Sequence, residues 1–231
     1  MNTICNRLQD ILATIQLTKS SGNYKQTVNL LAVSKGQSTS AVREAYVAGQ
    51  KMFGENYLQE ALEKQAELTD LTIEWHFIGP IQSNKTQSIA KNFAWVHSLD
   101  RLKIAQRLND ARPDNLAPLQ VCIQINSSNE SSKSGVNISA LEELAIAITA
   151  MPNLKLRGLM AIPEASKDIH QQRSQFKQVR ECYDMLLTKG FALDTLSIGM
   201  SNDYKIAIEQ GATIIRIGSA LFGNRIYANN L

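Results

Sequence analysis

The chain has 231 residues, of which 44% are hydrophobic and 19% charged, and its net charge is +3. That is enough to bury a sizeable core, as one large domain or two small ones. Its lysines and arginines form no basic cluster, which argues against a nucleic-acid footprint, and no apolar run approaches membrane-spanning length.

The segment Met1 to Arg7 lacks the apolar core of a signal peptide, so the chain is expected in the cytoplasm, off the membrane. Cys5, Cys122 and Cys182 are scattered without metal-ligand or redox spacing and read as free thiols. His76, His97 and His170 show no ligand pairing, and no metal is expected.

In chain order, Ile4, Leu8, Ile11, Leu12 and Ile15 share one helical face, predicting a leading amphipathic helix before the polar segment Lys19 to Thr27. Short apolar runs follow at 28–34, 51–54, 73–78, 95–97, 119–125, 154–160, 194–199 and 213–217. Each reads as a buried strand. Between them the spacing is helical: Leu141, Leu144, Ala145 and Ile148 form one face, and Phe176, Val179, Tyr183 and Leu186 another. Strand-helix alternation implies parallel strands with right-handed crossovers. Eight such units predict an α/β protein, a single (β/α)8 TIM-type barrel with an extra N-terminal helix, over residues 1–231 as one domain. A doubly wound open sheet competes. The barrel is preferred because the strands are evenly spaced and no glycine fingerprint follows the first one.

Lys35 ends the run 29–34 and precedes Gly36, which puts its amine at a strand's carboxyl end, where barrels place their chemistry. The run Ile214-Ile215-Arg216-Ile217 ends in Gly218-Ser219, a turn suited to gripping phosphate through backbone N–H groups. An aldehyde-binding lysine with a phosphate cup points to pyridoxal 5'-phosphate. An amine with an ordinary pKa near ~10.4 is a poor nucleophile at neutral pH, so such a site must favour the neutral form by desolvation or nearby positive charge. Asn56, Met160, Ser197 and Ser201 fall at or near other strand ends. Duller readings compete: Ser201 and Asn56 as helix caps, Arg216 as a carboxylate partner inside the barrel, and His76 as a satisfied core histidine.

The motifs Leu30-Leu31-Ala32-Val33-Ser34-Lys35, Phe53-Gly54-Glu55-Asn56-Tyr57, His76-Phe77-Ile78-Gly79-Pro80, Ser132-Lys133-Ser134-Gly135, Arg157-Gly158-Leu159-Met160, Ser197-Ile198-Gly199-Met200-Ser201 and Arg216-Ile217-Gly218 occur in that order. Together they resemble the pyridoxal phosphate homeostasis protein family. That family is similar to the amino-terminal barrel of bacterial alanine racemase. The resemblance implies that Lys35 is the Schiff-base lysine, that Ser201, Gly218 and Ser219 hold the phosphate, and that Arg216 lies near the pyridine nitrogen. Asn56, Met160 and Ser197 complete the expected cofactor-binding set. One departure is the turn Gly36-Gln37-Ser38, where the family has a threonine-containing one.

Three functions are weighed. The first is a non-catalytic carrier that holds pyridoxal phosphate in vitamin B6 homeostasis and delivers it to apoenzymes, read as a monomer. The second is an amino-acid racemase, which needs acid-base groups on both ring faces. The chain is expected to lack the second domain that supplies a racemase's tyrosine, leaving His76, Tyr57 and Lys133 as candidates. The third is a barrel aldolase using Lys35. The carrier is preferred.

Overall fold

The computed structural model describes residues 3–126 and 134–223. Its strands are β1 (Asn29–Val33), β2 (Met52–Glu55), β3 (Glu74–Phe77), β4 (Trp95–Leu99), β5 (Leu119–Gln124), β6 (Leu154–Met160), β7 (Thr195–Ser197) and β8 (Ile214–Ile217). They pair in sequence order and parallel, and β8 closes back on β1 through Asn29↔Ile214 to Ala32↔Ile217. Every expected strand is found, and the barrel is confirmed against the open sheet.

The described helices are α1 (Ile4–Ser21), α2 (Thr39–Val47), α3 (Leu58–Glu67), α4 (Thr86–Asn92), α5 (Leu102–Ala111), α6 (Leu141–Thr149), α7 (Ile169–Thr188), α8 (Tyr204–Glu209) and α9 (Ser219–Phe222). Thr3 caps α1 by accepting from the Asn6 N–H, and Ile4, Leu8, Ile11 and Ile15 are buried against α2, α8 and α9. Leu12 is 38% exposed, because it lies about 100° around the helix from Ile11 and leaves the stripe. The helix also runs through Lys19 to Ser21, past the expected start of the polar segment. Lys19 in the last turn complements the helix dipole there.

Alternation along each strand sorts the core into two layers. Outward residues such as Ala32, Phe53, Val96, Ile123, Leu159, Leu196 and Ile215 pack under the helices as the main core. Inward residues form two small apolar clusters, Leu31, Val33, Ile78 and Ile214 in one and Trp95, Cys122 and Met160 in the other. The inward set also holds His76, His97, Ser197 and Arg216, all buried. Gly158 sits where β5 and β6 shift register, and a Cβ there would lie 1.7 Å from the Thr195 carbonyl oxygen. Glycine therefore lets β6 approach β7. No described helix is long and apolar enough to cross a membrane. Among the described residues no group of three His, Cys, Asp or Glu side chains could hold a metal ion.

Candidate functional site

A cavity of about 630 Å³ opens at the carboxyl ends of the strands, walled by Lys35, Asn56, Ser201, Arg216, Gly218 and Ser219 among others. Both neighbours of Lys35 are anchored. Ser34 N–H donates to the Gly54 carbonyl at 3.0 Å, and Ser34 Oγ donates to Glu55 Oε1 at 2.6 Å. Gly36 N–H donates to Glu60 Oε1 at 2.6 Å. Lys64 Nζ binds this frame together from below, donating to the Ser34 carbonyl at 2.6 Å, Glu55 Oε1 at 2.8 Å and Glu60 Oε1 at 2.6 Å. Burial holds the Glu55 carboxyl above its ordinary range, and Lys64 opposes that rise.

Asn56 does not cap α3, whose N-cap position is Tyr57 with no side-chain cap bond. Instead Asn56 Oδ1 is buried without a hydrogen-bond partner. A Cβ at position 79 would come within 2.1 Å of the Asn56 carbonyl oxygen, so Gly79 is what allows this close approach of the two loops.

Ser201 does not cap α8 either. Its Oγ accepts from the Ala220 N–H at 3.3 Å, joining the loop after β7 to the one after β8. Asp203 precedes α8, its carboxylate accepts from the Met200 N–H at 2.6 Å, and burial raises its pKa. Gly218 opens α9, its carbonyl accepting from Leu221 and Phe222.

Arg216 is 4% exposed and is held by oxygens rather than by a carboxylate. One Nη donates to the Ser197 carbonyl at 2.5 Å and to Ser197 Oγ at 2.9 Å, and the other donates to the Ala161 carbonyl at 2.9 Å. Burial lowers its pKa to about 10, with Asp203 opposing, so it remains a cation at neutral pH.

Six of the expected site residues thus share one wall. Met160 packs with Trp95 and Cys122 in the interior, and Ser197 lies beneath Arg216; neither is on the described cavity wall. Both sit at strand ends, as read, but their inward side chains belong to the layer below. Of the acid-base candidates, His76 is buried in the interior and Tyr57 is 59% exposed, both off that wall, while Lys133 lies outside the described residues. Sequence reasoning missed Lys64 altogether. Its i,i+4 spacing to Glu60 was a visible signal, but that pattern usually marks a solvated helix face.

The barrel and its carboxyl-end cavity define a protein of the alanine racemase N-terminal domain type, and that family matches residues 8–225. The chain is 55% identical over 228 residues to the pyridoxal phosphate homeostasis protein of Pseudomonas aeruginosa, covering 98% of each. It is 46% identical over 232 residues to that of Escherichia coli K12, covering 99% of each. Among solved structures it is similar to PipY of Synechococcus elongatus, determined with PLP bound, at 34% identity and a TM-score of 0.85, covering 96% of this chain and 100% of that one. The chain belongs to the pyridoxal phosphate homeostasis protein family.

Proposed function

We propose that this chain binds pyridoxal 5'-phosphate in the carboxyl-end cavity. It acts as a non-catalytic keeper of that cofactor in vitamin B6 homeostasis, a single-domain cytoplasmic monomer able to pass the cofactor to apoenzymes. The observation that carries this reading is the shared wall: a primary amine, a buried cation, a serine hydroxyl beside a Gly-Ser turn, and an acceptor with no partner of its own. The names of the relatives and the PLP-bound neighbour support it.

The donor set suits the ligand's parts. When bound, the cofactor would supply an aldehyde, and Lys35 would be the primary amine placed to hold it. Ser34 and Gly36, tied to Glu55 and Glu60, hold the lysine's backbone in place. Ser201, Gly218 and Ser219 would hold the phosphate, and Asn56 Oδ1 would accept from a ligand hydroxyl. Arg216 would be the residue that meets the pyridine nitrogen. Its fixed positive charge disfavours protonation of that nitrogen and so weakens the electron sink on which amino-acid chemistry depends.

Borohydride treatment of the protein loaded with pyridoxal phosphate, followed by peptide mass mapping, tests the reading. The reduced adduct is expected on Lys35 and absent from Lys35→Ala. An adduct only on another lysine overturns the assignment. Single amino-acid enantiomers in deuterated water are expected to show no rapid α-proton exchange, since a placed acid or base contributes ~10²–10⁴-fold to turnover. Rapid Lys35-dependent racemisation overturns the keeper in favour of an enzyme.

A further inference from the structure

The interior of the barrel carries polar side chains that the cofactor reading does not use. Arg216 Nη donates to Ser197 Oγ at 2.9 Å, Ser197 Oγ meets His97 Nδ1 at 2.8 Å, His97 Nε2 meets His76 Nδ1 at 2.9 Å, and His76 Nε2 meets Glu74 Oε1 at 2.9 Å. We propose that Glu74, His76, His97 and Ser197 form a one-way hydrogen-bond chain that positions Arg216 and transmits the state of Glu74, at the amino-terminal end of the barrel, to the guanidinium on the cofactor cavity.

The direction follows from the two ends. A guanidinium can only donate and a carboxylate can only accept. Glu74 therefore takes the proton-bearing Nε2 of His76, which leaves Nδ1 of a neutral His76 as acceptor. His97 must then donate from Nε2 and accept at Nδ1 from the Ser197 hydroxyl, which itself accepts from Arg216. Every hydrogen points toward Glu74, and both imidazoles are neutral with the same tautomer.

The surroundings agree. Burial lowers the pKa of His76, against the pull of Glu74, and lowers that of His97 further, with His76 and Arg216 adding to the effect. The hydrogen bond from His76 lowers the Glu74 pKa, with Arg157 of β6 assisting. The His76 ring is stacked on Trp95 with centroids 5.3 Å apart and planes 8° apart, which fixes the plane of its two bonds. Glu74 is half-exposed and walls a cavity at the amino-terminal end, whereas Arg216 walls the one at the carboxyl end. The four side chains thus make a continuous polar connection between the two ends of the barrel interior, and hydrogen bonds in such a series polarise one another.

The test has two arms. In ligand-free protein, ¹⁵N NMR of the imidazoles is expected to show His76 and His97 as neutral Nε2–H tautomers throughout about pH 5–8, the range in which an ordinary histidine titrates. Glu74→Leu removes the terminal acceptor and is expected to shift the Arg216 guanidinium resonances, and Glu74→Gln, which still accepts, to restore the tautomers. The second arm rests on the cofactor reading. With pyridoxal phosphate bound, Glu74→Leu is expected to move the absorption band and weaken retention by about fivefold or more, while borohydride still fixes the ligand on Lys35. A protonated or Nδ1–H imidazole in the parent protein, or an Arg216 signal indifferent to Glu74→Leu, overturns the proposal. So does an unmoved band in protein whose Lys35 does trap the ligand. Failure of trapping in the parent protein removes the cofactor reading instead, and the ligand-free arm still decides the chain.

Discussion

The two ends of the barrel differ in a way that volume alone misrepresents. The amino-terminal cavity is the larger, about 1030 Å³ against about 630 Å³ at the carboxyl end. Its prominent charges satisfy one another. Arg157 donates to both oxygens of Asp194 at 2.8 and 2.6 Å and to Gln120 at 2.6 Å, and its guanidinium lies 4.7 Å from the Trp95 ring centroid. At the carboxyl end, by contrast, Asn56 Oδ1 is buried with no partner. A buried acceptor left unpaired costs about 1–3 kcal/mol, and a ligand donor relieves that cost. Unmet hydrogen-bonding capacity, rather than empty space, is what favours the carboxyl end as the proposed binding end.

The comparison breaks most readily at Lys64, which underpins the carboxyl end. Lys64→Met leaves the Glu55 carboxylate buried with Ser34 as its remaining partner, and loss of one member of a buried pair costs about 3–5 kcal/mol. The folded-state pKa of Glu55 is already above its ordinary 4.5, so stability from this group is present at low pH and is lost as pH rises through the folded value. Without Lys64 that folded value moves higher still. Urea unfolding is therefore expected to show a large deficit at pH 8 that narrows at pH 5, with Glu55→Gln recovering much of it. A deficit independent of pH would show that Lys64 acts by packing alone.

How much of this was legible follows from which interactions are local. Parallel strands are buried on both faces, so runs such as 28–34 and 119–125 stand out, and eight of them with helical spacers are enough to read the barrel. Lys35 was visible because it ends such a run. Lys64 was not, since Glu60, Glu63 and Lys64 look like an exposed helix face until α3 is placed against β1 and β2. The interior chain was hidden for the same reason: Ser197 and His97 are 100 residues apart in sequence and meet only across a closed barrel. Strand ends located Met160 and Ser197, but the layer each occupies depends on strand tilt and register, which the sequence pattern does not state.

Within the carboxyl end, the proposed phosphate contacts are expected to give a smaller and more selective effect. A charge-assisted hydrogen bond contributes about 1.5–3 kcal/mol, so Ser201→Ala and Ser219→Ala should each weaken binding of pyridoxal phosphate by that amount. Unphosphorylated pyridoxal should be affected much less, and titration calorimetry with both ligands measures the difference. Equal losses would assign the serines to the fold, where Ser201 already accepts from Ala220.

The smallest effect is expected at the Arg157–Asp194 pair of the amino-terminal end, and its smallness is what sharpens the contrast. Asp194 is 57% exposed in its side chain and its bonds to Arg157 are partly solvated. Exposed pairs of this kind contribute about 0.2–1 kcal/mol, because water screens the attraction and ordering two side chains opposes it. Asp194→Asn keeps one acceptor for Arg157 and leaves Gln120 and Trp95 as its other supports. Urea unfolding should therefore shift by about 1 kcal/mol or less, with salt reducing the shift further, and retention of pyridoxal phosphate should be unchanged. A variant that folds as stably as the parent yet loses the ligand would mean that the Arg157–Asp194 pair, and not the Glu74 chain alone, links the amino-terminal end to binding.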